Sequence, residues 1–174
     1  MVTNKRFKSV LVVLGGNSGE RSISLATGKA CAKALRKKNY KVKIFDPKIN
    51  NFNLISKYKC DVIFNALHGK EGEDGIAQSY FEYLRIPYTH SGVISSYNAM
   101  NKIISKKIFD KNKILTPKYF CIEKKEKLEK SILKKILSTK KIKFPIVIKP
   151  INEGSSLGVK IVKSFFDLQK SIFN

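Results

Sequence analysis

Three short glycine-bearing stretches of this chain stand out, and the second and third of them have residue types and spacing suited to closing backbone around an anion. They are Gly15-Gly16-Asn17-Ser18-Gly19-Glu20-Arg21, His68-Gly69-Lys70-Glu71-Gly72-Glu73-Asp74-Gly75, and Lys149-Pro150 followed by Gly154-Ser155-Ser156-Leu157-Gly158. Each glycine group follows an apolar run, so the glycines fall where a strand ends. Backbone N–H groups can approach an anion there with no side chain in the way. Any one of these is also an ordinary glycine turn, and the weight lies in all three occurring in this order. Glu20 sits just after such a turn, where the first N–H groups of a helix point. A carboxylate there gains about 0.3–1 kcal/mol from the helix dipole, so helix-end acid and ligand-binding acid are both open. His68 closes an apolar run at the sheet edge where α/β proteins bind ligands, although a lone histidine there is often a hydrogen-bonded structural residue. Glu73 and Asp74 are of metal-ligand type, but capping of the helix that follows is the preferred role. A Walker A loop is excluded, because Gly-Lys-Ser/Thr after a longer glycine spacing is absent.

These stretches need elements to carry them. Residues 9–14 form a continuous apolar run ending in Gly15-Gly16, the pattern of a strand buried on both faces. Ile23, Ala26, Ala30 and Ala34 then recur at helical spacing, and basic residues 36–38 suit the helix's negative end. Strands are expected over 42–45 and 61–65, with a short helix over 51–57 between them. A helix is expected over 75–84 with Ile76, Tyr80 and Leu84 on one face. Alternating strand and helix argue for a parallel sheet with right-handed crossovers. A Ser/Gly-rich link over 89–96 marks a domain boundary, giving domains 1–95 and 96–174. Beyond it come a helix from Met100 through Ile108, a strand over 119–122, and an amphipathic helix through Leu128, Ile132, Leu133, Ile136 and Leu137. Strands over 146–149 and 159–162, joined by the glycine loop, read as an antiparallel hairpin, and a last helix begins at Phe165.

Composition limits the classes. The chain has 174 residues, 43% of them hydrophobic, enough for one domain and part of a second. No apolar run approaches the roughly 18 residues of a membrane helix, and the basic start lacks a signal-peptide core and cleavage site. Cys31, Cys60 and Cys121 are widely spaced and form no disulfide framework, so a cytoplasmic protein is expected. With only His68 and His90, a zinc site is improbable. The net charge of +22 is a prior for nucleic acid or anionic membrane. Its lysines are spread along the chain without a nucleic-acid-binding motif, so solvated helix faces are the better account and neither partner is expected. The charge would also attract ATP at low salt.

Taken together, the three stretches resemble the D-alanine–D-alanine ligases of the ATP-grasp superfamily, over nearly all of the chain. The resemblance implies an α/β fold: an N-terminal parallel-sheet, Rossmann-like, pre-ATP-grasp domain followed by the first part of an ATP-grasp α+β domain. It implies that Glu20 holds the ammonium of the first D-alanine and that His68 belongs to the same pocket, orienting the substrate or Glu20. Lys102 and Lys149 match the family's two phosphate-binding lysines of the ATP site, where an ammonium stabilises charge on a transferring phosphoryl group. Asn101 stands where the family more often has Asp. Gly154, Ser155, Ser156 and Gly158 would form the flexible lid over the triphosphate, with Ser155 matching the family's catalytic serine.

The implied reaction is ATP-dependent joining of two D-alanines through an acyl phosphate, in the cytoplasm, for peptidoglycan, by a homodimer. Mg2+ or Mn2+ would assist in the complete enzyme, but the family's metal ligands, transition-state arginine and adenine pocket have no counterpart in this sequence. A fragment, inactive and prone to aggregate when alone, is therefore expected. D-alanine–D-lactate and D-alanine–D-serine ligases share these motifs. Two readings from other classes are a dinucleotide-binding module, with Asp46 ending its second strand, and a basic nucleic-acid-binding module. The dinucleotide fingerprint fails at its second glycine.

Overall fold

The protein is represented by a computed structural model that describes residues 7–122 and 129–173. Its Cα packing separates two compact units, Met1–Met100 and Asn101–Asn174.

The first unit is built on a three-stranded parallel sheet. β1 (Ser9–Val13) lies between β2 (Lys41–Phe45) and β3 (Val62–Asn65), and all pairs are parallel. Alternate residues of β1 face opposite sides, as a pleated strand requires. Leu11 and Val13 join Phe45, Ile63, Phe52, Ile55 and Phe81 on one face, while Val10, Val12 and Leu14 join Ala32 and Ala66 on the other. Each such side chain, fully buried, contributes on the order of 1.5–3 kcal/mol. Helix α1 (Arg21–Lys37) packs on the second face, and a 3-10 turn (Phe52–Lys57) and α2 (Ile76–Tyr83) on the first. Beside β3, Ile63 N–H donates to Pro87 and Thr89 N–H to Ile63, which brings His90 to the sheet end.

Helices α1 and α2 bury a different face from the one their apolar spacing indicated. α1 buries Ser24, Gly28 and Ala32 and leaves Ile23 47% exposed, with Ala26, Ala30 and Ala34 outward. The cause is close approach: a Cβ on Gly28 would lie 2.5 Å from Leu14 Cβ, so at this crossing α1 has room for no side chain. α2 buries Ala77, Gln78 and Phe81, while Ile76 and Tyr80 are exposed. Gln78 belongs inside because its Nε2 donates to the Gly72 carbonyl at 2.8 Å.

Within residues 89–96, read from sequence as a link, α3 (Val93–Met100) begins. The single helix expected from Met100 to Ile108 is divided, because the Asn101 side chain accepts from the N–H groups of Ile103 and Ile104 and so starts α4 (Lys102–Lys111) afresh.

The second unit contains α4, α5 (Lys130–Thr139), the antiparallel hairpin β4 (Ile146–Ile148) and β5 (Lys160–Val162), and α6 (Phe165–Phe173). Leu133, Leu137, Val162 and Leu168 form its core. Residues 119–122 form no strand. Phe120 and Ile122 instead contribute side chains to that core, while the Tyr119 hydroxyl donates to Asp110 at 3.0 Å. Leu128 lies outside the described residues.

Candidate functional site

At the C-terminal edge of the parallel sheet, three chain segments meet: the turn after β1, Asp46 after β2, and the segment Ala66 to His68 after β3. Asp46 is the hub. Its carboxylate accepts from Arg21 through both Nη atoms at 2.9 and 2.7 Å, from Gly16 N–H at 3.1 Å and from Lys48 N–H at 3.0 Å. Burial pushes the Asp46 carboxyl up, but the hydrogen bonds from Arg21, Gly16 and Lys48 and the guanidinium charge outweigh it and hold it below the usual carboxylate value. The same bond raises Arg21, which also donates to the Gly16 carbonyl at 2.9 Å. Gly15 N–H is taken by Ser24 Oγ at 2.8 Å, and that hydroxyl donates on to Ala66 at 2.7 Å.

The glycine amides of this turn are therefore spent inside the protein. The same is true across the loop after His68, where Glu71 N–H donates to Asp74, and Gly72 and Glu73 N–H to Gly69. Neither loop presents these amides to an anion, contrary to the expectation for the loop after His68. Asp46, saturated by four donors, faces into the protein and not toward a ribose.

Glu20 occupies the N-cap position of α1, yet its side chain makes no capping bond. The carboxylate is buried, 5% exposed, and lies against the backbone of Gly69: a Cβ on Gly69 would come within 2.4 Å of Glu20 Oε2. Ser18 joins the two candidate residues. Its hydroxyl donates to the His68 carbonyl at 2.7 Å and accepts from Glu20 N–H at 3.2 Å. The His68 ring reaches Glu73 at 3.8 Å. Asp74 accepts from Ile76 N–H at 3.1 Å, the helix-start role expected of it. A cavity of about 340 Å3 opens beside His68, lined also by Thr27, Glu73, Gln78 and His90. His90 holds a left-handed backbone, φ 79°, with Nε2 2.8 Å from the Asn65 carbonyl oxygen.

In the second unit, Lys102 Nζ donates to the carbonyls of Ile151 at 3.4 Å and of Glu153. Burial lowers its pKa and the charge of Lys149 lowers it further, against the opposing pull of Glu153. Lys106, one turn along α4, donates to Thr116 and Pro117, and its pKa is lowered by burial, opposed by Asp110, with a further lowering from Lys149. Lys149 thus lies close enough to disfavour the charge on both Lys102 and Lys106, while Glu153 favours it on the first and Asp110 on the second. Ser155, Ser156 and Gly158 all have positive φ, and a Cβ on Gly158 would meet Pro150 at 2.7 Å. That close approach folds the glycine loop back on the Lys149-Pro150 end of β4.

Two models of one family match the chain: D-ala D-ala ligase N-terminus over residues 46–91, and D-ala D-ala ligase C-terminus over 108–174. A curated relative, the D-alanine–D-alanine ligase of Pelagibacter ubique, is 58% identical over 155 residues, covering 88% of this chain and 50% of that protein. The chain belongs to the D-alanine–D-alanine ligase family.

A Wolbachia member of the family is 44% identical, over 93% of this chain and 45% of its own length. The crystal structure of the Bacillus anthracis D-alanine–D-alanine ligase superposes with a TM-score of 0.80 at 36% identity, covering 95% of this chain and 53% of that one. Its complex with ATP superposes with a TM-score of 0.77. The chain thus spans about half the length of the ligases it matches, and the α/β fold with a parallel sheet is theirs.

The fold brings Glu20 and His68 together in one unit, and Lys102, Lys149 and the 154–158 loop in the other. Sequence reasoning missed Ser18, which stood inside a quoted motif with no role, and the Arg21–Asp46 pair. It also missed Gln78 and His90. A donor-acceptor residue two positions before Glu20 was the one available signal for Ser18. Among the described residues no three His, Cys, Asp or Glu side chains gather as a metal site. Glu73 pairs with His68 and Asp74 is used by two N–H groups, so these acids do not fit the divalent cation that ligases of this kind imply.

Proposed function

We propose that this chain carries the first-substrate site and the phosphate-binding elements of an ATP-dependent ligase that joins two D-alanines. Glu20 receives the ammonium of the first D-alanine, and His68 orients that substrate from the adjoining strand end. Lys102 and Lys149 hold the triphosphate, while the loop containing Gly154, Ser155, Ser156 and Gly158 closes on it and Ser155 donates its hydroxyl to a phosphate oxygen. A carboxylate oxygen of the first D-alanine attacks the γ-phosphorus of ATP and ADP departs. The amine of the second D-alanine then attacks the acyl carbon and loses a proton, and phosphate leaves with the electron pair of the acyl C–O bond. Such chemistry is mostly positioning and charge stabilisation.

The observation that carries this proposal is the placement of a buried carboxylate, Glu20, against Gly69, next to His68 at the sheet's C-terminal edge. A buried acid at that edge suits an incoming ammonium. The activity for which the family is named and the ATP complex of its Bacillus anthracis member support the rest. Cytoplasmic location follows from the need for ATP. A homodimer is proposed with it, supported by exposed Tyr83, Ile94 and Tyr97 on α2 and α3. Sedimentation would test that part.

The decisive experiment grafts residues 1–174 in place of the matching half of the Pelagibacter ligase and measures D-alanine-dependent phosphate release from ATP. Release is expected, with a loss of at least tenfold in Glu20→Gln and in Lys149→Gln. Release that ignores both substitutions would overturn the assignment.

A further inference from the structure

The turn after β1 reaches both candidate substrate residues through one hydroxyl. Ser18 Oγ accepts from Glu20 N–H at 3.2 Å and commits its only hydrogen to the His68 carbonyl at 2.7 Å. Acceptance from a residue two positions ahead is a local turn habit of serine. Donation to a carbonyl fifty residues away is not local, and it ties α1's first residues to the end of β3. The turn itself is fixed from its other end, since Gly16 has its N–H on Asp46 and its carbonyl on Arg21. Tolerance at the far end is small: Glu20 Oε2 occupies space that any side chain on Gly69 would need. A shift of the His68-Gly69 backbone relative to Glu20 therefore opens or closes the gap between the carboxylate and the ring.

We infer that Ser18 is a positioning residue whose hydroxyl sets the spacing between the Glu20 carboxylate and the His68 ring. This rests on the proposal that those two groups hold the first D-alanine. Ser18 touches no reacting atom and acts through the backbone of its two partners.

The test uses the 174-residue chain with Ser18→Ala and Ser18→Thr, D-alanine as the probe ligand, and NMR of the His68 ring and the Glu20 amide. Ser18→Ala is expected to weaken D-alanine binding about fivefold to tenfold, the effect of one net hydrogen bond. It should also move the His68 ring signals and speed hydrogen exchange at the Glu20 amide, and Ser18→Thr should restore all three. Wild-type binding in Ser18→Ala with unmoved His68 signals would overturn the inference. So would a Ser18→Thr variant that melts like wild type yet fails to restore binding. If the wild-type chain itself ignores D-alanine, the substrate assignment fails. The ring and amide signals then judge the positioning role without the ligand, and unchanged signals sink it.

Discussion

The sheet edge of the first unit and the glycine loop of the second are both glycine-rich and both end a strand, but they are built on opposite plans. At the sheet edge nearly every polar group has a protein partner: Asp46 has four donors, and the amides of Gly15 and Gly16 are taken. The loop over 154–158 is largely exposed, with Ser155 and Ser156 in the left-handed backbone region that non-glycine residues rarely adopt. Close by, Lys149 disfavours the charge on both Lys102 and Lys106. A small, rigid amino acid is served by a cup assembled in advance. A long, highly charged triphosphate is served by a field and by backbone that can close on it.

The largest effect should come from breaking the prebuilt side. Asp46→Ala strands the Arg21 guanidinium and two amides. The loss of stability should exceed that at an exposed ion pair, because four hydrogen bonds go with the carboxylate. Urea unfolding checks it. If the sheet edge were as loosely held as the loop, the loss would be under about 1 kcal/mol, as at exposed pairs.

Gly69→Ala comes next. A left-handed backbone costs a side-chain-bearing residue about 1–2 kcal/mol, and the new Cβ would displace Glu20 Oε2. D-alanine affinity should fall more than tenfold by calorimetry, while binding of inorganic tripolyphosphate stays unchanged.

The reverse dissociation is expected on the other side. Lys102→Met should weaken tripolyphosphate binding about tenfold, the effect of one charge-assisted contact, without lowering the melting temperature. Burial and Lys149 already disfavour the Lys102 charge in the folded state. The unfolded chain holds that proton more tightly, so the wild type should gain stability as pH rises from the folded pKa toward 10.5, and Lys102→Met should lack the gain.

The smallest effect concerns acid. The Asp46 carboxyl is held below its ordinary value of 3.8, so its contribution is full above that value and is lost as pH falls through the folded pKa. The acid limb of a stability–pH curve should be shallower in Asp46→Asn, and a limb of unchanged slope would show that the pair does not govern it.

Much of the scaffold was readable in the sequence, for a physical reason. β1 is an apolar run ending at glycine, as a parallel strand buried on both faces leaves, whereas β2, with Lys41 and Lys43 in it, and β3 show as shorter apolar stretches ahead of Asp-Pro and His68. Helix faces were misread where packing selects small or polar residues: Ser24, Gly28 and Gln78 are interior, and no hydrophobic period reports them. Residues 119–122 looked like a strand because apolar and aromatic residues alternate there, yet they supply side chains to a core without a ladder partner. Lys102 and Lys149 were visible only by resemblance, since they are two among 35 basic residues. The candidate acid and histidine were named from motif, but the hydroxyl between them was hidden. Its partner lies fifty positions away, a distance that local pattern does not encode.

The spent glycine amides at the sheet edge carry one more consequence. With the N–H groups of Gly15, Gly16, Glu71, Gly72 and Glu73 turned inward, this rim does not offer those amides to an arriving molecule. On the proposed assignment of Glu20 to the ammonium, a zwitterion bound here is held by its cationic head, and its anionic tail is left pointing outward, where chemistry on a carboxylate would have to happen.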